Sequence, residues 1–302
     1  MNNVHEQFLL SLLIIILGYV FKRINLISEQ DGQCLSRLIF NITLPALIIS
    51  TFNTIIIDFS LILITIIGIV YGIFMAILGV IVFKNEDRKV RGMLSMLIPS
   101  FNIGLFAYPL VEAIWGHEGI KYFGMFDVGN SIVVFGVTYI FASYFSSENA
   151  DIKVANISRK LLKSVPLLSY IIVFSLAVSD LHFPKIVLDC TKILARANMP
   201  LSLLLLGIYL SFSLNKYHLK NMIKVLAVRY LLGLLVGTTL FFIMPFDQMF
   251  KYTMLIGFLL PIPTAVIQYA IEFDYDQHFV GTVANVTILL SFFLVWLIVG
   301  IL

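Results

Sequence analysis

Ten stretches of mostly apolar residues follow one another along the chain, near residues 6–22, 31–53, 59–83, 91–115, 118–146, 161–180, 186–214, 219–243, 248–271 and 277–301. Each has about 17 residues or more, enough for an α-helix to cross ~30 Å of hydrocarbon. Polar positions are confined largely to short links, so the pattern predicts an all-α integral membrane protein of ten transmembrane helices with no inserted soluble domain. The longest polar stretch, Ser146 to Lys163, follows the fifth helix. It divides the chain into a first five-helix unit (1–146), a cytoplasmic linker (147–160) and a second unit (161–302).

Two of the ten stretches are interrupted. In the fourth, Pro99 and Pro109 enclose Ser100, Asn102 and Gly104; in the ninth, Pro261 and Pro263 precede Thr264. Proline removes a backbone donor and clashes with the preceding turn, and an unpaired backbone group is most costly in hydrocarbon. Broken helices persist in membranes where the freed groups line a protein-enclosed cavity and bind a solute. Kinks satisfied by neighbouring helices are the plainer alternative.

Five helices is an odd number, so a second unit of the same kind enters the membrane upside down. Pro45 and Asn130 are 85 residues apart, as are Pro200 and Asn285. Val128-Gly129-Asn130 matches Val283-Ala284-Asn285, and Arg37 matches Lys192 at the same offset. These matches, with paired breaks in corresponding helices, point to an inverted repeat with helices 4 and 9 crossing at mid-membrane. Chance agreement in a Leu/Ile/Val-rich chain is the alternative.

Composition and charge narrow the class. Of 302 residues 60% are apolar and 12% charged, with a mean hydropathy of +1.00, which excludes a soluble domain. The formal charge of +3 is scattered over short loops, so no nucleic-acid partner is expected. Cys34 and Cys190 have neither disulfide-framework nor zinc spacing, the five histidines lie at helix ends or in loops, and no metal site is expected. The chain carries no GxxxxGK[ST], HExxH, GxSxG or GxGxxG motif, and no nucleophile and base on neighbouring positions of a span. An enzyme is therefore not expected. The first apolar run lacks a basic n-region and reads as a retained helix.

Lys22, Arg23, Arg37, Lys84, Arg88, Lys89, Arg91, Lys153, Arg159, Lys160, Lys163, Lys216, Lys220 and Lys224 gather on one side of the predicted topology. Lys121, Lys185, Lys192 and Lys251 fall on the other. The positive-inside rule then places both termini outside the cytoplasm.

Candidate chemistry clusters near the breaks. Amides freed beside Asn102 and Gly104, and beside Thr264 and Ala265, form partially positive half-helix ends suited to an anion. Asn130 and Asn285 could hold a carboxylate from two pseudo-symmetric directions, or act as glue between helices. Asp127 shares the helix face of Asn130 and could carry a proton through a transport cycle or hydrogen-bond neighbouring helices as a structural acid. Arg196, four residues before Pro200, could pair with the anion or snorkel at a helix end beside Asp189 and Lys192; Arg229 reads as snorkelling. Gly68-xxx-Gly72 and Gly233-xxx-Gly237 suit close helix packing.

With these residues in place the chain resembles the auxin efflux carrier family, which includes plant PIN transporters and bacterial malate and malonate permeases. The resemblance runs nearly end to end. It rests on Asn41-Ile-Thr-Leu-Pro45, Asn102-Ile-Gly104 through Tyr108-Pro109-Leu110, and Phe126-Asp127-Val128-Gly129-Asn130. In the second half it rests on Pro200-Leu201 through Leu206-Gly207 and on the proline segment of helix 9. It implies two inverted five-helix repeats in an elevator-type transporter, similar in build to sodium–proton antiporters and bile-acid symporters. Helices 3 to 5 and 8 to 10 would form the transport unit, helices 1, 2, 6 and 7 the scaffold, and the substrate carboxylate would lie near Asn130 and Asn285.

Plant relatives carry an acidic residue within helix 3, where this chain has only Asp58 at the outer edge. Asp127 is therefore the candidate for proton coupling. The expectation is a carrier in the cell membrane for a small organic anion, a mono- or dicarboxylate such as malate, with H+ or Na+ as coupling ion and no cofactor. A sodium-coupled carrier of a larger anion and a non-transporting carboxylate sensor are the alternatives. An apolar scaffold face could support a homodimer, although a bilayer covers such a face equally well.

Overall fold

The structure, a computed structural model, describes residues 2–53, 55–146, 154–179, 181–211 and 219–301. All regular elements among them are helical. In chain order they are α1 (Asn2–Arg23), α2 (Glu29–Leu38), α3 (Leu44–Phe52), α4 (Phe59–Val82), α5 (Arg88–Met96), α6 (Tyr108–Ile132), α7 (Tyr139–Ser146) and α8 (Val154–Lys163). There follow α9 (Val165–Val178), α10 (Lys185–Ala195), α11 (Asn198–Tyr209), α12 (Leu219–Ile243), α13 (Gln248–Gly257), α14 (Ala265–Glu272) and α15 (Gln277–Ile301). Single π turns at Ile39–Thr43, Ile103–Ala107 and Val133–Thr138 lead into α3, α6 and α7.

Among the described residues, seven helical runs are long and apolar enough to cross a membrane: His5–Arg23, Glu29–Phe52, Phe59–Val82, Ile103–Ser146, Lys185–Tyr209, Leu219–Ile243 and Gln277–Ile301. The protein is a multi-pass helical membrane protein. These seven runs relate to the ten expected stretches, two of them broken, in an identifiable way. The ninth stretch is divided into α13 and α14, and the sixth contributes Val165–Val178, only 14 residues long. The run Ile103–Ser146 holds the second part of the fourth stretch and the whole of the fifth, two helices joined across the non-helical backbone of Gly116. Of the expected linker, 147–153 lies outside the described residues, together with the Lys153 used for orientation; Lys216 also lies outside them. From Val154 onward the linker is helical.

Proline accounts for two of the π turns. Pro45 and Pro109 each stand in the first turn of the helix that follows such a turn. A proline deprives the carbonyl four residues earlier of its donor, and here the preceding turn widens. The Leu44 N–H donates to Ile39 O and the Tyr108 N–H to Ile103 O, both five residues back. Pro109 thus opens α6 and does not itself break a helix.

The interior is filled by large apolar and aromatic side chains, and the helices that close on it turn small residues inward and further Ile, Leu and Val outward, where a bilayer covers them. On α4, Ile66, Val70 and Ile77 are exposed, while Gly68 and Gly72 abut Phe126 and Val133. On α12, Leu231 and Leu235 are exposed, while Gly233 and Gly237 abut Phe258 and Leu255. A Cβ at Gly207 of α11 would come within 2.0 Å of Ile15 O on α1, so these helices touch backbone to backbone. The helices α1 and α11 pack together, as do α3 with α9 and α10, α4 with α6, α5 with α7, α12 with α13, and α14 with α15.

Gly116 has φ 59° and ψ −143°, a backbone conformation open essentially to glycine alone. A Cβ there would meet nothing within 4 Å, so the constraint is purely dihedral. Gly116→Ala is therefore expected to destabilise the protein by about 1–3 kcal/mol, read as a lower midpoint in a tryptophan-fluorescence melt. Gly281→Ala is the control: α15 is helical there and the Cβ position is equally open, so the same melt should be unchanged or raised.

Candidate functional site

Two non-helical segments meet in the interior. The first begins where α5 ends at Met96 and runs through Pro99, Ser100, Phe101 and Asn102 to the π turn at Ile103. The second runs from Phe258 through Pro261, Ile262 and Pro263 to Thr264, the residue before α14. The Asn102 N–H donates to Pro261 O at 2.8 Å, a backbone bond joining the two breaks.

Their other freed groups also find partners. Asn130 of α6 makes a two-point contact with Phe101, its Oδ1 accepting the Phe101 N–H at 2.9 Å and its Nδ2 donating to Phe101 O at 2.8 Å. On the second segment Thr287 Oγ1 of α15 accepts the Ile262 N–H at 3.0 Å, and Ser291 Oγ donates to Leu259 O at 2.6 Å. Arg229 of α12 spans both segments. Its Nη1 donates to Leu97 O at 2.9 Å and Ile98 O at 2.7 Å, and its Nη2 to Leu260 O at 2.9 Å. The guanidinium carbon lies 5.0 Å from the Phe101 ring centroid. Tyr71, Phe101, Phe126 and Phe258 form an aromatic cluster around the crossing, with Tyr71 stacked on Phe258 at 3.9 Å.

Several buried polar atoms at the crossing have no hydrogen-bond partner among the described residues. They are Ser100 Oγ, Asn102 Nδ2, Tyr71 OH and Arg229 Nε. Asn102 uses its Oδ1 to cap the π turn, accepting the Leu105 N–H at 3.3 Å, which leaves its amide donors free.

Asp127, also buried, faces a different partner set. Tyr108 OH lies 3.1 Å and Tyr170 OH 3.4 Å from Asp127 Oδ2, and the two phenols also lie within hydrogen-bonding reach of each other, so two phenolic protons are shared among three contacts. Tyr108 opens α6 and Tyr170 belongs to α9, so this carboxylate ties α6 to α9. Asp58 serves otherwise. It caps α4 by accepting from Ser60 Oγ at 2.6 Å and the Leu61 N–H at 3.0 Å. These bonds, the Ser60 hydroxyl first, hold its carboxyl below the usual carboxylate range.

The candidates read from sequence do not all converge. Asn285 lies on α15 but donates from Nδ2 to Tyr209 O at 3.2 Å and Ser211 O at 2.7 Å, at the C-terminal end of α11. Thr287, not Asn285, performs at the second break what Asn130 performs at the first. The Cβ position of Gly104 is bounded by Leu44 and Phe40 side chains at 3.1 and 3.3 Å, so the glycine admits protein there. Thr264 precedes α14 without a side-chain cap bond. Arg196 is exposed at the junction of α10 and α11. The arginine brought to the breaks is Arg229, and the reading of it as snorkelling is corrected: it is 2% exposed. Its position deep in a 25-residue helix was the available signal, since a charge at that depth marks a functional site by default.

Thr43 of the first unit donates from Oγ1 to Asn198 Oδ1 at 3.0 Å, and both are buried. Each stands two residues before the proline, Pro45 or Pro200, that anchors the repeat.

Removing one partner from these breaks leaves a buried peptide group stranded. Thr287→Val is expected to lower stability by about 1–3 kcal/mol, while Thr287→Ser, which keeps the acceptor, leaves the melting midpoint near wild type.

Comparison with known proteins agrees with this anatomy. A family model described as "Membrane transport protein" matches residues 4–299. An uncharacterised transporter of Methanothermobacter thermautotrophicus is 23% identical over 300 residues, covering 95% of this chain and 94% of its own. An uncharacterised transporter of Methanocaldococcus jannaschii is 24% identical over 213 residues, covering 67% of this chain and 68% of its own. The chain therefore belongs to the membrane transport protein family, the auxin efflux carriers that its motifs resemble, and is a transporter and not an enzyme.

Proposed function

We propose that this transporter is a secondary carrier of a small organic anion, a mono- or dicarboxylate such as malate, coupled to protons and working by alternating access. The observation that carries the reading is the meeting of two broken segments at Asn102 and Pro261 beside buried, unpartnered donors. The donors are Asn102 Nδ2 and Ser100 Oγ, and the site lies at the partially positive start of the helical run at Ile103. Arg229 adds a positive charge whose hydrogen-bond partners among the described residues are carbonyls and not a carboxylate. A buried site with spare donors and net positive charge suits a carboxylate.

In this reading the transport unit comprises α4 to α7 and α12 to α15, and the scaffold α1 to α3 and α9 to α11. Two inverted repeats would build them, and the Thr43–Asn198 bond supports that symmetry, because equivalent positions touch only near the axis that relates them. Asp127 with Tyr108 and Tyr170 lies between the units. Ionised, the carboxylate draws the phenolic protons towards it; taking up a proton removes the charge that attracts them and loosens α6 from α9. Proton binding and movement of the transport unit are thereby linked. Asp58, held as a helix cap, is unsuited to that cycle.

The reading is tested by uptake of labelled malate into proteoliposomes under an imposed inward proton gradient, with a parallel sodium gradient. Accumulation under the proton gradient alone is expected; accumulation that requires sodium would overturn the coupling. Asp127→Asn should abolish gradient-driven accumulation and keep substrate exchange, and wild-type accumulation by that variant would remove Asp127 from the mechanism. Asn102→Ser keeps a cap acceptor but withdraws the amide donor. Losing a hydrogen bond to a charged group is worth about 1.5–3 kcal/mol, so half-saturation should rise on the order of tenfold to a hundredfold.

A further inference from the structure

One side chain holds the C-terminal sides of both breaks. Leu97 O and Ile98 O close the end of α5, Leu260 O follows the end of α13, and all three point at the Arg229 guanidinium. Converging backbone carbonyls at half-helix C-termini are how broken transmembrane helices commonly bind a coupling cation, because the helix dipole is negative there and the oxygens have lone pairs to spare. Arg229 arrives from a third helix, and its guanidinium is buried with Phe101 against one side.

We propose that Arg229 is a tethered cation that fills a carbonyl cage otherwise open to a small monovalent ion, so that the crossing is assembled without sodium. An arginine stays protonated at any working pH, so the cation in the cage is not lost by deprotonation. The same permanence excludes Arg229 as the group that carries a coupling proton. It is a positioning residue: it fixes the two segments through their carbonyls and holds Asn102 against Pro261. The inference goes beyond the proposed substrate and does not depend on it, since its test needs no anion.

The experiment compares thermal melting of purified protein in sodium, potassium and choline chloride at equal ionic strength. Wild type is expected to melt at one temperature in all three. Arg229→Gln, which removes the charge and keeps a polar side chain, should melt on the order of 5 °C or more lower in choline. Sodium, or low millimolar guanidinium chloride, should restore part of that loss, whereas urea at the same concentration should not. Arg229→Lys keeps a cation in the cage and should need no added ion. A sodium-specific rise in wild type would overturn the proposal, as would a loss in Arg229→Gln that neither cation relieves. Failure to obtain folded Arg229→Gln with sodium or guanidinium present throughout purification would also count against it. None of these readouts changes if malate proves to be the wrong substrate.

Discussion

A peptide group that leaves a helix inside hydrocarbon has no water to turn to, and its partner must come from protein or ligand. The two breaks at the centre of this molecule meet that requirement almost completely. Leu97 and Ile98 give their carbonyls to Arg229, Phe101 gives both its groups to Asn130, and Asn102 gives its N–H to Pro261. On the other segment Leu259, Leu260 and Ile262 are taken by Ser291, Arg229 and Thr287. Asn130 on α6, Arg229 on α12, and Thr287 and Ser291 on α15 are thus explained first as partners for broken backbone. Of the side-chain atoms left without a partner among the described residues, Asn102 Nδ2 and Ser100 Oγ are the ones on the broken segment itself, and these are the donors proposed to face a solute.

This arrangement dictates how the surrounding helices pack. The helices α4 and α12 approach the crossing segments and their neighbours through glycines: Gly79 of α4 faces Ile98 and Gly233 of α12 faces Phe258, while Gly68 and Gly72 bring α4 against Phe126 and Val133, and Gly237 brings α12 against Leu255. With their backbones drawn inward, these helices turn their Ile, Leu and Val side chains to the lipid. The close contact of α1 with α11 through Gly18 and Gly207 is built the same way on the opposite part of the fold. Between the two groups lie contacts of another kind, among them the Asp127 carboxylate shared by Tyr108 and Tyr170. A charged hydrogen bond can be altered by one proton; a backbone contact through glycine cannot.

Much of this was legible in the sequence, and the limits are instructive. Proline marks a position where a helix cannot continue unchanged, so the breaks at Pro99 and at Pro261–Pro263 could be placed residue by residue. Pro109 was misassigned as a breaker because a π turn absorbs it, and periodicity does not distinguish a widened turn from an interrupted helix. Asn130 was recognised as important from its depth, but whether a buried amide serves ligand or backbone depends on what lies opposite. Asn285, its sequence equivalent, holds the end of α11 instead, while Thr287, two residues on, takes the backbone role. Arg229 was misread because a long cationic side chain has two routes, outward to the headgroups or inward to carbonyls, and only the fold shows that inward acceptors exist. Among the described residues seven runs are long and apolar enough to span; one of them, Ile103–Ser146, is two helices joined at Gly116, the ninth stretch is divided by its prolines, and the sixth gives a helix of 14 residues.

The electrostatics of the crossing follow from the direction in which each half-helix points. The C-terminal sides of α5 and α13 present carbonyls, partially negative, and Arg229 neutralises both at once. The N-terminal sides, at Ile103 and Ala265, present amides, partially positive, and no acidic side chain caps either: Asn102 caps the first and Thr264 stands at the second. Elsewhere in the same chain carboxylates do this work, with Asp58 capping α4 and Asp247 capping α13. At the two membrane-buried starts a carboxylate from the protein would have occupied the place of an anionic guest and cancelled the field that attracts it. Neutral caps at the N-terminal ends and a permanent cation at the C-terminal ends leave the crossing positively polarised on balance, with its free donors beside the same backbone. That polarity is the physical ground on which we propose an anion rather than a cation as the guest.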